Sequence, residues 1–186
     1  RRVESAARSG AGTAPRPQSH QVNMHPHRQA PWFSLAFVVL AADQAAKSTV
    51  DATTPLGWSY PVTAFFNLVH VLNPGAAFSF LAGAGGWQRW FFLAIAVAAS
   101  VWLIWMLRQP RPRSESLAFS LILGGALGNA FDRALRGHVI DYLDFHLAGW
   151  HWPAFNVADI AITLGAACLV LASFTVSSQP QTRDEA

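Results

Sequence analysis

Four acidic residues lie in or at the ends of apolar stretches, where a carboxylate is costly: Asp43, Asp132, Asp141 and Asp159. Asp159 is the only charged residue between Asp144 and Arg183, near the start of a long apolar stretch, and Asp141 lies in a short polar segment just upstream. An aspartate at a bilayer centre costs about 2.5–3.5 kcal/mol on insertion scales, so each is a candidate functional group. Two carboxylates brought together can share one proton, one serving as acid and the other as base. That is the chemistry of an aspartic protease.

The spacing leaves alternatives open. Asp144 lies three residues after Asp141 and is a rival for the second position of the pair. Asn156, three residues before Asp159, would share a helix face with it. Asn156 can equally be an N-cap that satisfies free N–H groups of a helix, with Asp159 as an acidic residue of the first turn. A cap does not require a charge that far into an apolar segment, which favours a functional role for Asp159.

Other polar residues in apolar stretches are interpreted as structural. Asp132 and Arg133 end one stretch, where Arg133 could neutralise an acidic partner, and the spacing of Gly124 and Gly128 permits close helix packing. Asp43 and Lys47, four residues apart, indicate an intrahelical ion pair. The remaining candidate metal ligands lack ligand spacing and predict no metal site: His138, His146, His151 and Cys168.

The composition indicates a membrane protein. Of 186 residues, 52% are hydrophobic and only 12% are charged, against roughly 25% charged in ordinary soluble domains. Uncharged apolar stretches of about 18 or more residues can cross a hydrocarbon core of about 30 Å. A soluble single domain is thereby disfavoured. The 13 Lys and Arg residues against 10 Asp and Glu fall largely beside apolar stretches, which favours membrane orientation over nucleic-acid binding.

The predicted fold is a mainly α, four-transmembrane-helix bundle. The first span is short enough in its apolar part to resemble a signal peptide, but Asp43 and Lys47 continue it at helical spacing. Residues 1–30 have few large apolar side chains, which predicts a disordered tail or an N-terminal extension. Met24 is a candidate translation start. The predicted membrane domain is 31–178, followed by a C-terminal tail at 179–186. Its spans are 31–50, 87–107, 117–134 and 155–176.

The link between the first two spans predicts a small β-rich element. Tyr60 to Leu72 is rich in Val, Phe and Leu and ends at the turn signal Asn73-Pro74-Gly75. The glycine-rich loop at 73–84 could move as a lid. Tryptophans cluster at the predicted span ends on this side, as interfacial anchors do: Trp58, Trp87, Trp90, Trp150 and Trp152.

Basic residues predict the orientation. The N-terminal tail and the link between the second and third spans, with Arg108, Arg111 and Arg113, are rich in arginine, whereas 53–88 contains no Lys or Arg. Basic short loops face the cytoplasm. Both termini are therefore expected to be cytoplasmic, with Asp141 and Asp159 near the external face.

Four ordered blocks of sequence resemble the lipoprotein signal peptidase family, or signal peptidase II, of bacterial inner membranes. Each block alone is a weak signal, but four in the family's order on a four-span chain are specific. The resemblance runs from about Trp32 to Ser173. Its blocks are Asp43 to Lys47, Asn73 to Phe80, Gly128 to Tyr142, and Phe155 to Asp159.

The resemblance implies residue roles. It makes Asp141 and Asp159 the catalytic dyad, which selects Asp141 over Asp144, and leaves Asp132 and Gly128 as structural residues. Pro74 departs from the small or hydroxyl residue expected after the asparagine, and could stiffen the loop. Six residues are implied to support the site or contact substrate: Asp43, Lys47, Asn73, Asn129, Arg133 and Asn156.

The implied function is that of an intramembrane aspartic endopeptidase. It would cleave diacylglyceryl-modified prolipoproteins before the lipid-modified cysteine, at the periplasmic face of the inner membrane. The expected partners are these substrates and membrane lipids, with no nucleic acid, metal or cofactor, and the expected state is a monomer. Two other classes remain open from the residues alone: a small proton-coupled transporter with carboxylates along a transmembrane pathway, and a non-enzymatic membrane scaffold.

Overall fold

The computed structural model describes residues 29–75 and 85–176. Within them lie four helices, namely α1 (Ala30–Thr53), α2 (Trp87–Leu107), α3 (Arg113–Leu135) and α4 (Val157–Val176). Four strands accompany them, namely β1 (Ser59–Thr63), β2 (Phe66–Asn73), β3 (Val139–Leu147) and β4 (Trp150–His151). Residues 1–28 of the predicted N-terminal tail, the whole predicted C-terminal tail at 179–186 and most of the predicted lid lie outside the described residues.

The helices follow the predicted spans with shifted ends. α2 has the predicted bounds, whereas α1 continues to Thr53 and α3 begins four residues early, at Arg113. α4 begins two residues later than predicted, because Phe155 is held in a bridge to Leu143 of β3. Of the described helices, α1, α2 and α4 have the length and apolarity needed to cross a membrane.

The central helix of the bundle is α3, which explains why it is too polar to count among those candidate spans. It packs against α1, α2 and α4. Its polar residues therefore face other helices, and Asn129, Asp132 and Arg133 are buried. A peripheral helix presents an apolar face to lipid, whereas α3 makes most of its contacts with other helices. The prediction of four apolar spans is thus confirmed for three helices, and α3 differs because it is surrounded by protein.

Glycines let the neighbouring helices approach α3 closely. A Cβ placed at Gly124 would lie 2.6 Å from the main-chain oxygen of Ala36 on α1, and one at Gly128 would lie 2.5 Å from Asp43 Oδ2. Neither distance is possible for a real side chain, so only glycine fits at both positions. The predicted close packing at Gly124 and Gly128 is confirmed.

The sheet is larger than the sequence predicted. β1 and β2 form the expected element between α1 and α2, but the antiparallel order β1-β2-β3-β4 draws half of its strands from the link between α3 and α4. Restricting the β-rich element to the first link was therefore wrong. An isolated hairpin is marginally stable, and β3 supplies the second partner that β2 needs. The sheet thereby carries residues of the first link to those of the second.

Candidate active site

Asp141 is held on β3 by two asparagine amides. It is 2% exposed, and its Oδ2 accepts a hydrogen bond from Asn73 Nδ2 at 3.0 Å while its Oδ1 accepts one from Asn156 Nδ2 at 2.7 Å. Asn73 reaches it because β2 pairs with β3 so that Asn73 lies opposite Val139, diagonal to Asp141. Both carboxylate oxygens are thus fixed by neutral donors.

The start of α4 brings Asp159 to the same place. Asn156 directly precedes the helix, and its Oδ1 accepts the N–H of Asp159 at 3.0 Å while its Nδ2 donates to Asp141. The predicted capping role of Asn156 is therefore confirmed, and the same side chain also contacts the other carboxylate. One amide links the two aspartates and fixes where the helix begins.

Asn129 of α3 orients the Asp159 carboxylate. Its Nδ2 donates to Asp159 Oδ1 at 2.8 Å, and its Oδ1 accepts a hydrogen bond from Lys47 Nζ at 2.9 Å. An ammonium group can only donate, so the Lys47 contact forces the amide N–H₂ of Asn129 toward Asp159.

The electrostatics of Asp141 suit proton transfer near neutral pH. Burial and, to a smaller extent, the negative charge of Asp159 together raise the pKa of Asp141 to about 7, against the opposing hydrogen bonds from Asn73 and Asn156 and the positive charge of Lys47. A carboxyl group with a pKa near the working pH can both hold and release a proton.

The rival carboxylate, Asp144, has other partners. A separation of three residues on a strand places Asp141 and Asp144 on opposite faces. Asp144 accepts hydrogen bonds from Asn67 Nδ2 at 2.8 Å and from His151 Nδ1 at 2.9 Å. Burial opposes its ionisation, but the hydrogen bonds from His151 and Asn67 outweigh it, and the pKa of Asp144 falls below its usual value. These contacts favour Asp141 as the partner of Asp159.

A second group of charges, here called the ion cluster, consists of Asp43, Lys47, Asp132 and Arg136. Lys47 Nζ lies 2.8 Å from Asp43 Oδ2 and 2.7 Å from Asp132 Oδ2, with all three side chains fully buried. Asp132 Oδ1 also pairs with Arg136. Asp43 Oδ1 accepts the main-chain N–H of Ala158 at 2.9 Å, which ties α1 to α4. The predicted Asp43–Lys47 ion pair is confirmed, and it extends from α1 to α3, with a hydrogen bond to α4.

The sequence interpretation missed two members of this polar region. Arg136 pairs with Asp132 at an i,i+4 spacing that could have indicated it. Gln44 donates to Asp132 Oδ1 at 3.1 Å and accepts from Arg136 Nη1 at 3.1 Å. No spacing rule links Gln44 to residues 88 and 92 positions away, so only the packing of α1 on α3 reveals it.

Arg133 reaches from the end of α3 toward the predicted loop block. Its Nη2 donates to the main-chain oxygen of Gly75 at 2.8 Å, and its guanidinium lies 5.2 Å from the centre of the Phe92 ring. The charges of Asp159 and Asp141 act on it across the site. Its Nε is buried without a hydrogen-bond partner among residues 29–75 and 85–176. Arg133 therefore links the end of α3 to the turn at Gly75.

The departure at Pro74 fits the local turn. Asn73 Oδ1 accepts the N–H of Gly75 at 3.0 Å while its Nδ2 donates to Asp141. This is an Asx turn, in which the intervening residue contributes no N–H to the closing bond. Proline is therefore compatible with the orientation of Asn73.

A cavity of about 560 Å³ adjoins these groups. Its polar wall is formed by Asn73, Asn129, Arg133 and Asp159, and its apolar wall includes Trp152, Phe155, Ile160 and Leu164. The part of the chain that the structure describes contains no group of three or more His, Cys, Asp or Glu residues able to hold a metal ion. The cavity thus joins an apolar surface to a carboxylate.

The comparisons with known proteins identify the family. The family model described as signal peptidase (SPase) II matches residues 35–175. The chain belongs to the signal peptidase II family. The lipoprotein signal peptidase of Ralstonia nicotianae is 52% identical over 146 residues, covering 78% of this chain and 84% of that protein. That of Paraburkholderia phymatum is 55% identical over 142 residues, covering 76% and 86%.

A solved structure of a bacterial membrane enzyme shares the fold of this chain. A bacterial membrane enzyme determined by the in meso method at 2.3 Å resolution superposes with a TM-score of 0.74 at 29% identity, covering 84% of this chain and 95% of that chain. The predicted family and peptidase activity are confirmed, and the transporter alternative receives no support. The chain is a membrane protease that processes lipoproteins.

Proposed function

We propose that Asp141 and Asp159 are the catalytic pair with which this signal peptidase II removes signal peptides from diacylglyceryl-modified prolipoproteins. Family membership supplies the reaction. The observation that carries the residue assignment is the link through Asn156, which donates to one carboxylate and accepts the N–H of the other residue. This link brings the two aspartates together beside a cavity of suitable chemistry.

The two carboxylates differ in access, which assigns their roles. Asp159 lines the cavity, whereas Asp141 is 2% exposed. Asp159 removes a proton from water in the cavity, and the water oxygen attacks the carbonyl carbon of the scissile peptide bond. Asp141, whose pKa is raised to about 7 by burial and by Asp159, donates its proton to the carbonyl oxygen. Asp159 then passes its proton to the leaving amine as the C–N bond breaks, and the hydroxyl proton returns to Asp141.

The remaining site residues orient these groups and the substrate. Asn73 and Asn129 hold the two carboxylates. Arg133 lines the cavity, where its guanidinium can donate to a carbonyl of the bound peptide. The apolar wall of the cavity suits the apolar signal peptide and the acylated cysteine that follows the scissile bond.

The same proposal includes the membrane topology. α3, with 23 residues, is about 34 Å long, enough to cross the bilayer as the fourth span inside the other three. Arg108 and Arg113 lie exposed at one end of the bundle, which we assign to the cytoplasm together with both tails. Exposed tryptophans, including Trp87 and Trp150, lie at the other end, which we assign to the periplasmic face of the inner membrane.

We expect this membrane domain, 31–178, to act as a monomer, because all the site residues come from one chain.

The assay is cleavage of a purified diacylglyceryl-modified prolipoprotein by the enzyme in lipid or detergent. Asp141→Asn and Asp159→Asn each remove one proton-transfer group, so each is expected to lower kcat about 10²–10⁴-fold. Asp144→Asn makes the same substitution in the same strand, outside the pair, and is the matched control with near-normal turnover. Normal turnover by folded Asp141→Asn or Asp159→Asn enzyme would contradict the assignment.

A further inference from the structure

The outer end of α3 carries two carbonyl groups that its own helix leaves without N–H partners. The last carbonyls of an α-helix lie beyond the reach of intrahelical donors. Arg89, from the first turn of α2, donates Nε to the main-chain oxygen of Arg133 at 2.7 Å and Nη2 to that of Ala134 at 2.7 Å. Its positive charge also lies at the negative end of the helix dipole, where a cation is favourable.

The geometry around Arg89 fixes its orientation. Its guanidinium carbon lies 4.7 Å from the centre of the Trp90 ring. Gly137 follows α3 with a φ of +86°, and a Cβ there would lie 3.4 Å from Arg89 Nη1. The glycine therefore accepts both the left-handed backbone and the close approach of the guanidinium. The end of α3, the Trp90 ring and Gly137 together hold the Arg89 guanidinium.

The residue whose main chain Arg89 holds is itself part of the site. Arg133 donates from its side chain to the main-chain oxygen of Gly75 at 2.8 Å and lines the cavity with Asp159. A helix terminus frays when its end groups lose their partners. Loss of the Arg89 contacts therefore displaces the turn from which the Arg133 guanidinium extends.

We infer that Arg89 is a positioning residue of the peptidase reaction, acting through Arg133: its guanidinium fork fixes the last turn of α3 and thereby the Arg133 side chain at the cavity. This inference rests on the proposed function, because the role of Arg133 follows from the assignment of Asp141 and Asp159. Arg89 itself touches neither aspartate in the described contacts, so its effect on turnover is indirect.

A purely structural tie between α2 and α3 is the alternative, and the chain offers a matched control. Arg111, beyond the opposite end of α2, donates Nε to the main-chain oxygen of Met106 at 2.7 Å and pairs with Glu115 of α3 at 2.9 Å. Its guanidinium lies 4.8 Å from the centre of the Phe119 ring. Arg111 thus repeats the carbonyl bond, the aromatic contact and the link between the helices, but away from the cavity.

The first test measures kcat, KM and the unfolding midpoint of Arg89→Gln, Arg89→Lys and Arg111→Gln. A small misplacement of a site group can cost up to about 100-fold in rate, so Arg89→Gln is expected to lower kcat about 10- to 100-fold. Arg89→Lys keeps the charge but not the planar fork, so it recovers part of the loss. Arg111→Gln shifts the unfolding midpoint comparably but leaves kcat unchanged.

The second test asks whether Arg89 acts through Arg133. In an Arg133→Lys background, Arg89→Gln is expected to lower kcat little further, because residues acting through one contact are not additive. Equal kcat losses in Arg89→Gln and Arg111→Gln, or full additivity with Arg133→Lys, would overturn the inference. If Arg89→Gln does not fold, Arg89→Lys is compared instead with Arg111→Gln and combined with Arg133→Lys. Failure of the dyad itself is seen separately, as retained turnover in Asp141→Asn or Asp159→Asn.

Discussion

The proposed dyad and the ion cluster each contain two carboxylates, but their partners differ. In the ion cluster, Lys47 lies within 2.8 Å of both Asp43 and Asp132, and no side chain of these three is exposed. At the dyad, Asp141 and Asp159 receive their hydrogen bonds from asparagine amides. Ammonium groups neutralise a buried carboxylate, whereas amides orient it without cancelling its charge. The first arrangement makes the loss of one partner costly to the fold, and the second leaves a proton free to move.

Asn129 is the point where these two regions meet. It accepts a hydrogen bond from Lys47 and donates one to Asp159. The ion cluster therefore supports the dyad by fixing which end of the Asn129 amide faces it. Changes in one region are expected to affect stability, and changes in the other to affect turnover and its dependence on pH.

The largest expected effect on stability comes from removing the central cation. Lys47→Met keeps the side-chain length but leaves Asp43 and Asp132 buried without the positive charge that pairs with them. Breaking a buried ion pair in this way costs about 3–5 kcal/mol, which can be measured by unfolding in detergent micelles. Adding Asp43→Asn and Asp132→Asn to Lys47→Met is the control and should restore part of the stability. An unchanged unfolding midpoint in Lys47→Met would show that the cluster does not stabilise the bundle.

The dyad should show the opposite behaviour, because burial and the charge of Asp159 disfavour the ionised form of Asp141 more strongly than its hydrogen bonds and Lys47 favour it. The pKa of Asp141 is raised from 3.8 to about 7 by burial and by Asp159. A group that binds its proton more tightly when folded contributes stability that is full below pH 3.8 and is lost as the pH rises to about 7. Asp141→Asn removes this loss, so at pH 8 the variant should be more stable than wild type by on the order of a few kcal/mol.

The control for this pH dependence is Asp144→Asn in the same strand. Because the pKa of Asp144 is lowered by its hydrogen bonds, its ionised form contributes stability above the unfolded pKa. Asp144→Asn should therefore be less stable than wild type at pH 8. The unfolding midpoint of each variant across pH 4–8 measures both signs. Equal shifts of the unfolding midpoint in the two variants would contradict the opposite pKa directions of Asp141 and Asp144.

A smaller effect should follow from crowding the boundary between the two regions. A Cβ at Gly128 would lie 2.5 Å from Asp43 Oδ2, and Asp43 cannot easily move because Lys47 and the Ala158 N–H hold it. Gly128→Ala is expected to destabilise the protein by about 1–3 kcal/mol, as overpacking does. Turnover should fall less than in Asp159→Asn. An unchanged unfolding midpoint would mean that α1 and α3 can separate at no cost.

Local patterns predicted much of this molecule, and the exceptions have physical causes. The helices and the Asp43–Lys47 pair follow from short-range spacing. The choice between Asp141 and Asp144 did not follow from spacing, because the sequence alone did not show that residues 139–147 form a strand, whose two-residue period separates them. The pairing of Asp132 with Lys47 and the place of Gln44 depend on which faces of α1 and α3 meet.

Apolar length and residue order are local properties, so the amino-acid sequence was enough to indicate a membrane protein, most of the extent of its helices, its family and the residues in its motif blocks. The central position of α3, the pairing of β3 with β2 and the double role of Asn156, which caps α4 and contacts Asp141, became visible in the folded chain. The tertiary structure also revealed Arg89, whose partners lie 44 and 45 residues away. Such contacts depend on how separate elements pack, and a single sequence contains no direct record of that packing.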